Sequence, residues 1–511
     1  MVFSDPLARR TWLGDLTALA AGALMTLTFA PFDAWWLAPV LMALVYASLQ
    51  QIALGRTLWR GWLFGFGLFG AGTSWVYVSI HDYGYTGVPL AILLTALFAA
   101  TLALFYLITF GLYRYCRPRG AVNPWAFAGI WVLGEMFRSW AFTGFPWLYL
   151  GSAQVEAPIR SLAPLGGVYL LSLTVALSGG LLYRLVIRRA WFNAIPLLVI
   201  WLAPLALPTL WATPTGAPHQ VALVQGNLPQ LEKWTPDGQR TAANTYATLT
   251  REQAGDADIV IWPETALPML DTQAMPFLER IQATLAPEAA LVTGVVQRDV
   301  EGHYFNSVMA LGNGDGTYRK AHLVPFGEYL PLDSMLRGVI DFFNLPMSNF
   351  KAGPAAPAPL MADGLKLGVA ICYEIVYPDL VRQRAATSDV LLTVSNDSWF
   401  GHSIGPLQHM QMAQLRALEN NRYLLRATSN GMTAIVGPSG EILAEAPRFS
   451  KQVLTGSIRA MHGAPPFTFW GSWPAGILAT LLALSGIAAR WLERQRRRRK
   501  RQEQQFHDEL Y

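Results

Sequence analysis

Leu367-Gly368-Val369-Ala370-Ile371-Cys372-Tyr373-Glu374 is an apolar run that stops on a thiol, a phenol and a carboxylate. It has the length of one strand and no polar alternation, so it reads as a strand buried on both faces. Two other runs share this form. Ile259-Val260-Ile261-Trp262-Pro263 leads to Glu264, and Leu391-Leu392-Thr393-Val394 leads to Ser395-Asn396-Asp397. Buried strands that deliver polar groups at their carboxyl ends are how open α/β sheets place their sites.

Outward from these runs the pattern stays α/β. Strands are predicted over 220–226, 258–263, 289–296, 304–311, 366–373, 389–396 and 432–437, and helices over 238–254, 274–285, 377–385 and 406–421. Gly312-Asn313-Gly314-Asp315-Gly316 lies between strand-like 304–311 and 317–324 and reads as a hairpin turn. The whole stretch 213–466 is read as one α/β domain.

The rest of the chain has another character. Hydrophobic residues make up 53% of the 511 and charged ones 14%, where soluble chains carry about a quarter. That excludes a disordered chain, a collagen, a coiled coil and an ordinary soluble enzyme. Two cysteines exclude a disulfide scaffold. Eight apolar runs approach the roughly 20 residues that cross a bilayer: 12–31, 36–54, 59–80, 88–112, 124–142, 163–184, 191–211 and 470–490. The predicted division is a seven-helix transmembrane domain over 1–212, the domain 213–466, an eighth span within 467–490, and a basic tail over 491–511.

Arginines fix the orientation. Arg9 and Arg10, Arg56 and Arg60, Arg114 to Arg119, Arg184 to Arg189, and the cluster from Arg490 to Arg501 all fall on one side if every run spans. The opposite loops hold Arg160 alone. The positive-inside rule places both termini in the cytoplasm and 213–466 outside it. The net charge of +5 then belongs largely to a tail that meets lipid headgroups, and no nucleic acid is expected. Glu135 and Arg138, three apart in the fifth run, are expected to pair on one helix face.

One motif is a decoy. Gly65-Phe66-Gly67-Leu68-Phe69-Gly70 fits a dinucleotide pattern, but it lies inside an apolar span and reads as close helix packing. No H-E-x-x-H or C-x-x-C occurs and the eight histidines are scattered, so neither a metal nor a cofactor is expected.

Cys372 is the one cysteine outside the membrane half. By position it is either a small buried hydrophobe or a nucleophile. A nucleophile needs a proton acceptor, positive charge and donors for an oxyanion. Glu264, at the end of one strand, can serve as the base, and Lys320, ahead of strand-like Ala321-His322-Leu323-Val324, can supply the charge.

Trp262-Pro263-Glu264, Arg319-Lys320-Ala321-His322-Leu323-Val324-Pro325-Phe326-Gly327-Glu328 and Cys372-Tyr373-Glu374 resemble, in order, the three segments of the nitrilase superfamily. Ser395 to Gly401 and the following helix with Gln408, Arg416 and Glu419 resemble it too. That resemblance implies an α-β-β-α sandwich with a Glu264–Lys320–Cys372 triad. With eight spans around it, the chain resembles the apolipoprotein N-acyltransferase family, as do Trp75-Val76-Tyr77-Val78-Ser79-Ile80, Gly144-Phe145-Pro146-Trp147 and Gln225-Gly226-Asn227 with Trp234.

The family resemblance implies acyl transfer from the sn-1 position of a phospholipid through a thioester on Cys372. The donor is expected to be phosphatidylethanolamine, and the acceptor the α-amine of a diacylated apolipoprotein. The enzyme would be a multi-pass, monomeric protein of the bacterial inner membrane, with its catalytic domain periplasmic. A membrane-tethered amidase with the same triad is the alternative. Glu328 and Glu374 are expected either to support the triad or to form buried salt bridges, and the Tyr373 N–H to assist Lys320 at the oxyanion. Trp234 and Tyr373 either line the acyl path or pack as aromatics. Asn306 and Trp147 are expected at the substrate. Apolar stretches near 325–350 and 143–150 are candidates to dip into the interface.

Overall fold

The computed structural model describes residues 11–117, 122–329 and 350–509. Most of the apolar stretch near 325–350, at 330–349, lies outside the described residues.

Two sheets stack face to face. The first runs, in spatial order, Gln452–His462, Thr213–Gln225, Ile259–Ile261, Ala290–Arg298, Tyr304–Gly312, Thr317–Arg319. The second runs Ile442–Glu445, Ala434–Val436, Leu424–Thr428, Val390–Ser395, Leu365–Ile371, Leu360–Ala362, Gly314–Asp315. In each, three central strands are parallel and the edges antiparallel. Alternation divides the side chains between layers. Val221, Leu223, Ile259, Ile261 and Val292 meet Leu367, Val369, Ile371, Leu392 and Val394 between the sheets. The intervening Ala222, Val224, Val260, Trp262 and Leu291 pack outward, in one cluster with Ala242 and Tyr246 of helix Pro236–Gln253 and Leu278 of helix Asp271–Gln282. Beyond the second sheet, Ala370 and Leu391 join helices Pro378–Ala385 and Gly405–Asn420, and the same cluster runs on into the apolar helices. The result is an α-β-β-α sandwich with one helical layer seated on the membrane half.

That seat is polar at particular points. Helix Ala163–Val186 is broken at Gly166 and Gly167, the latter at φ +63°. Glu419 Oε1, from helix Gly405–Asn420, accepts the Val168 N–H just past the break at 2.7 Å, and Arg416 Nη2 donates to the same oxygen at 2.9 Å. A carboxylate at a helix start satisfies an orphan N–H and suits the helix dipole. Gln411 reaches Ala30 N and Asp33 Oδ1 at 3.2 and 2.9 Å.

Each of the eight apolar runs contains a helix. Among the described residues, three helices are long and apolar enough to cross a membrane: Val88–Cys116, Pro158–Val186 and Trp473–Gln505. A fourth span is possible if Leu54–Gly72 and Trp75–Tyr83, bent by 55°, count as one. The others are short. Thr11–Met25 and Pro124–Arg138 have 15 residues each, Leu37–Ser48 has 12 and Ala194–Leu202 has 9. A 15-residue helix rises about 22 Å, less than the roughly 30 Å hydrocarbon core. Some apolar runs instead continue as 3₁₀ turns at Thr26–Thr28 and Ala203–Ala206. The glycines of Leu54–Gly72 are contact points: a Cβ on Gly65 would lie 2.7 Å from Ala103 Cα, and one on Gly67 2.3 Å from Leu19 O.

Three local expectations are corrected. The run 317–324 is a strand only over Thr317–Arg319, so Lys320 follows a strand rather than preceding one. The cause is capture of the backbone by carboxylates: Ala321 N and His322 N donate to Glu374 Oε1, and Val324 N to Glu328 Oε2. Next, 312–316 is more than a turn, because Gly314–Asp315 pairs with Leu360–Ala362 in the second sheet. Finally, Glu135 and Arg138 do not form an ion pair. Glu135 Oε1 accepts Trp131 Nε1 and Leu150 N, both at 3.0 Å, while Arg138 Nη1 donates to the Phe145 and Trp147 carbonyls at 2.8 and 2.6 Å. Both instead anchor the loop 144–150.

Candidate active site

The carboxyl ends of the parallel strands from both sheets converge. Ile259–Ile261 carries the chain to Glu264, Leu365–Ile371 to Cys372, and Val390–Ser395 to Asn396 and Asp397. Cys372 opens a 3₁₀ turn, Cys372–Val376, at φ +51°. A left-handed conformation costs a non-glycine residue about 1–3 kcal/mol and persists only where its surroundings enforce it. Here Glu374 does so in part: its carboxylate accepts Ile371 N at 2.7 Å, Ala321 N at 2.8 Å, His322 N at 3.0 Å and the Tyr318 hydroxyl at 2.8 Å. Glu374 therefore ties the turn after Cys372 to the chain after Lys320. Its partners are three backbone N–H groups and a phenol.

Glu264, Lys320, Asn306 and Glu328 form one buried cluster. Lys320 Nζ lies 2.9 Å from Glu328 Oε1 and 3.9 Å from Glu264 Oε1. Asn306 Nδ2 donates to Glu264 Oε1 at 2.7 Å and to Glu328 Oε1 at 2.9 Å. Asn396 N donates to Glu264 Oε2 at 2.7 Å. Close approach at Gly294 makes room: a Cβ there would stand 2.7 Å from Glu264 Cα.

The electrostatics fit a proton-transfer site. Burial pushes the Cys372 thiol well above its ordinary range, Glu264 pushes it further, and Lys320 opposes both. Burial also raises Glu264, against the attraction of Lys320. Lys320 is pulled down by burial, but Glu328 and Glu264 outweigh that, so it stays cationic. A protonated thiol beside a carboxyl of raised basicity and a fixed cation can pass its proton during attack.

The remaining candidates scatter. Tyr373 is half-buried and its hydroxyl donates to Gly144 O at 3.1 Å, beside Tyr377, which donates to the same carbonyl. Trp147 is only 1% exposed. It packs behind the site rather than in an open cavity, with its indole N–H on Gln408 Oε1 at 2.7 Å and its ring against Trp75 and His409. Trp234 is 39% exposed on the loop after Thr213–Gln225 and no bond draws it into the cluster.

Sequence reasoning missed several neighbours. Lys233 is buried, and burial lowers it to about 8 against the attraction of Glu264. Gln230 Oε1 accepts Asn396 Nδ2 at 2.8 Å, tying that same loop to the residue that holds Glu264. His409 and Arg426 form a buried network beneath Cys372 with Asp397, itself one of the strand-end groups read from the sequence. The charge of Lys233 beside exposed Trp234 gave no signal of burial. Arg426 sits in Leu424–Thr428, a strand whose central arginine disguised it.

A glutamate, a lysine and a cysteine gathered at the strand ends of an α-β-β-α sandwich define a domain of the carbon–nitrogen hydrolase class. A family model described as Carbon-nitrogen hydrolase matches residues 220–464, and one described as Apolipoprotein N-acyltransferase N-terminal domain matches 21–181. The apolipoprotein N-acyltransferase of Azotobacter vinelandii is 47% identical over 96% of this chain and 97% of its own. That of Coxiella burnetii is 39% identical over 93% of this chain and 100% of its own. An amidase from Nesterenkonia sp. is similar at 18% identity and a TM-score of 0.35, covering 49% of this chain and 94% of its own. The chain belongs to the apolipoprotein N-acyltransferase family.

Proposed function

We propose that this chain is a membrane N-acyltransferase that moves the sn-1 acyl chain of a phospholipid to the α-amine of an S-diacylglyceryl cysteine on an apolipoprotein. The observation that carries the reading is the meeting of Glu264 and Lys320 with a left-handed Cys372 at the strand ends.

Cys372 attacks the ester carbonyl as Glu264 takes the thiol proton. Lys320 Nζ and the Tyr373 N–H hold the oxyanion. The intermediate collapses to a thioester, and Glu264 returns the proton to the departing lysophospholipid alcohol. The lipoprotein amine then attacks the thioester. Glu264 accepts the amine proton and passes it to the leaving thiolate, giving an amide and the free thiol. The thioester retains the acyl-transfer potential of the ester, so the second step draws on the first. Glu328 and Asn306 orient Lys320 and Glu264.

In this reading the eight apolar runs all lie in the bacterial inner membrane, the short helices completing their passage as turns. Arginine placement supports a topology with both termini in the cytoplasm and 213–466 in the periplasm. The donor is phosphatidylethanolamine and the enzyme acts as a monomer.

The test is intact mass after incubation with phospholipid vesicles and no acceptor. A hydroxylamine-labile gain of one acyl chain, absent in Cys372→Ala, is expected. A diacylglyceryl-cysteine peptide then clears it to an amide. Clearance to free fatty acid would assign a hydrolase instead. Absence of any adduct, with lipid bound, would overturn the reading.

A further inference from the structure

The carbonyl of Cys372 and the N–H of Tyr373 belong to one peptide unit. His409, on helix Gly405–Asn420 and 1% exposed, places Nε2 3.1 Å from that carbonyl oxygen. Its other nitrogen, Nδ1, lies 3.0 Å from Arg426 Nη2, and the same guanidinium nitrogen is 2.9 Å from Asp397 Oδ2. A carbonyl oxygen only accepts, so the nitrogen facing it must carry a proton; Nδ1 lies between Arg426 Nη2, which only donates, and Asp397 Oδ1 at 3.3 Å, which only accepts, and the shorter contact to Arg426 suits an accepting Nδ1. That assigns the proton to Nε2, and Nε2–H donates to the Cys372 carbonyl.

We propose that His409 is a positioning residue for acyl transfer: through Nε2–H it orients and polarises the Cys372–Tyr373 peptide, whose opposite end is the oxyanion donor. The inference rests on the acyl-transfer reading above and extends it to a residue outside the triad. A hydrogen bond to a peptide oxygen makes the N–H of that same unit a stronger donor. It also holds the plane of the peptide, and with it the left-handed turn at Cys372.

Two charged groups, Asp397 and Arg426, face the ring at Nδ1, and neither competes for the proton on Nε2. Asp397 Oδ1 stands 3.3 Å from Nδ1 and also accepts the Ser395 hydroxyl at 2.7 Å, while Arg426 holds Asp397 Oδ2 at 2.9 Å. Burial and the Arg426 charge disfavour the imidazolium, against the pull of Asp397. On its face the ring meets Trp147 of the membrane half, with centroids 5.6 Å apart. The loop anchored by Glu135 and Arg138 thus backs the residue that holds the nucleophile's peptide.

The experiment compares full-length wild type, His409→Leu, His409→Gln and His409→Asn by the rate of acyl-adduct formation from phosphatidylethanolamine vesicles. The glutamine amide nitrogen can stand near Nε2, and the shorter asparagine cannot reach the carbonyl. His409→Leu and His409→Asn are expected to acylate about tenfold more slowly or worse, with half-saturating lipid unchanged. His409→Gln is expected to recover most of the wild-type rate with the wild-type pH profile.

A His409→Leu that acylates at the wild-type rate would overturn the proposal. So would a His409→Gln as slow as His409→Asn at equal Tm. Should His409→Leu fail to fold, the glutamine–asparagine comparison decides alone. Absence of an adduct in wild type would strike the acyl-transfer reading instead, which separates the two failures.

Discussion

Asn306 Nδ2 stands 2.7 Å from Glu264 Oε1, and the same nitrogen is 2.9 Å from Glu328 Oε1. One amide nitrogen therefore bridges two buried carboxylates, and Lys320 Nζ sets its positive charge against the same two oxygens. Asn306→Asp would set a third carboxylate between them. Acyl-adduct formation should fall by about 100-fold or more, because a crowded carboxylate takes a proton and Glu264 ceases to be a free base. Asn306→Ala should cost less. Quenched-flow mass measurement separates the two.

Glu264 is raised by burial, so its carboxylate is lost at a higher pH than an ordinary glutamate's as acid is added. The acylation rate should therefore fall earlier on the acid side than a free carboxylate would dictate, and Glu264→Gln should abolish that limb along with most of the rate. Lys233, at about 8, favours the ionised Glu264 while it is protonated. Lys233→Met removes that support and should move the acid limb to higher pH. A pH–rate profile of single-turnover acylation reads both shifts.

Gly294 lies in Ala290–Arg298, where a Cβ would meet Pro263 O and Thr265 N at 2.6 Å and Glu264 Cα at 2.7 Å. These are backbone atoms and cannot swing aside. Gly294→Val should displace Glu264 and slow acylation, with an overpacking cost of about 1–3 kcal/mol in stability. Gly294→Ala should do so more mildly. Thermal unfolding beside acylation rate tells displacement of the base from general collapse.

Glu374 is predicted to be a fold determinant rather than a base. Its two buried oxygens receive three backbone N–H groups and the Tyr318 hydroxyl. Glu374→Gln turns one acceptor into a donor facing other donors, and each lost charge-assisted bond is worth about 1.5–3 kcal/mol. Tm should drop by several degrees. Acylation by the surviving folded fraction should keep the wild-type pH profile, which a lost base would change.

The long buried strands were legible because an unbroken apolar run has few other uses. Cys372, Glu264 and Asn396 could be read as strand-end groups for the same reason. The edge strand Gln452–His462 escaped because it alternates with exposed polar residues and resembles loop, and Ile442–Glu445 because it is four residues long and mostly exposed. Ala321 to Val324 were misread because their pattern suits a strand, while Glu374 and Glu328 take the backbone donors that a ladder would need. His409 looked like a stray histidine, since neither the partner at each ring nitrogen nor the membrane loop above it is near in sequence. Helix lengths in the membrane half were overread because hydropathy does not register where a helix tightens into a 3₁₀ turn or bends.

Arg138 offers a test of whether the membrane half reaches the site. Its guanidinium is buried, donates to the carbonyls of Phe145 and Trp147, and lies 4.6 Å from the centroid of the Tyr149 ring. The loop it holds presents Gly144 O to the hydroxyls of Tyr373 and Tyr377 and sets Trp147 against His409. Arg138→Lys keeps the charge but loses the planar fork that reaches two carbonyls and the stacking face. The loop should loosen, and hydrogen exchange should rise over 143–150 and, through the Tyr373 and Tyr377 contacts, over 372–377. Acylation should slow with half-saturating lipid little changed, since the lysine leaves the triad in place. Faster exchange confined to 143–150, with acylation unaltered, would show that the catalytic turn stands without support from the membrane helices.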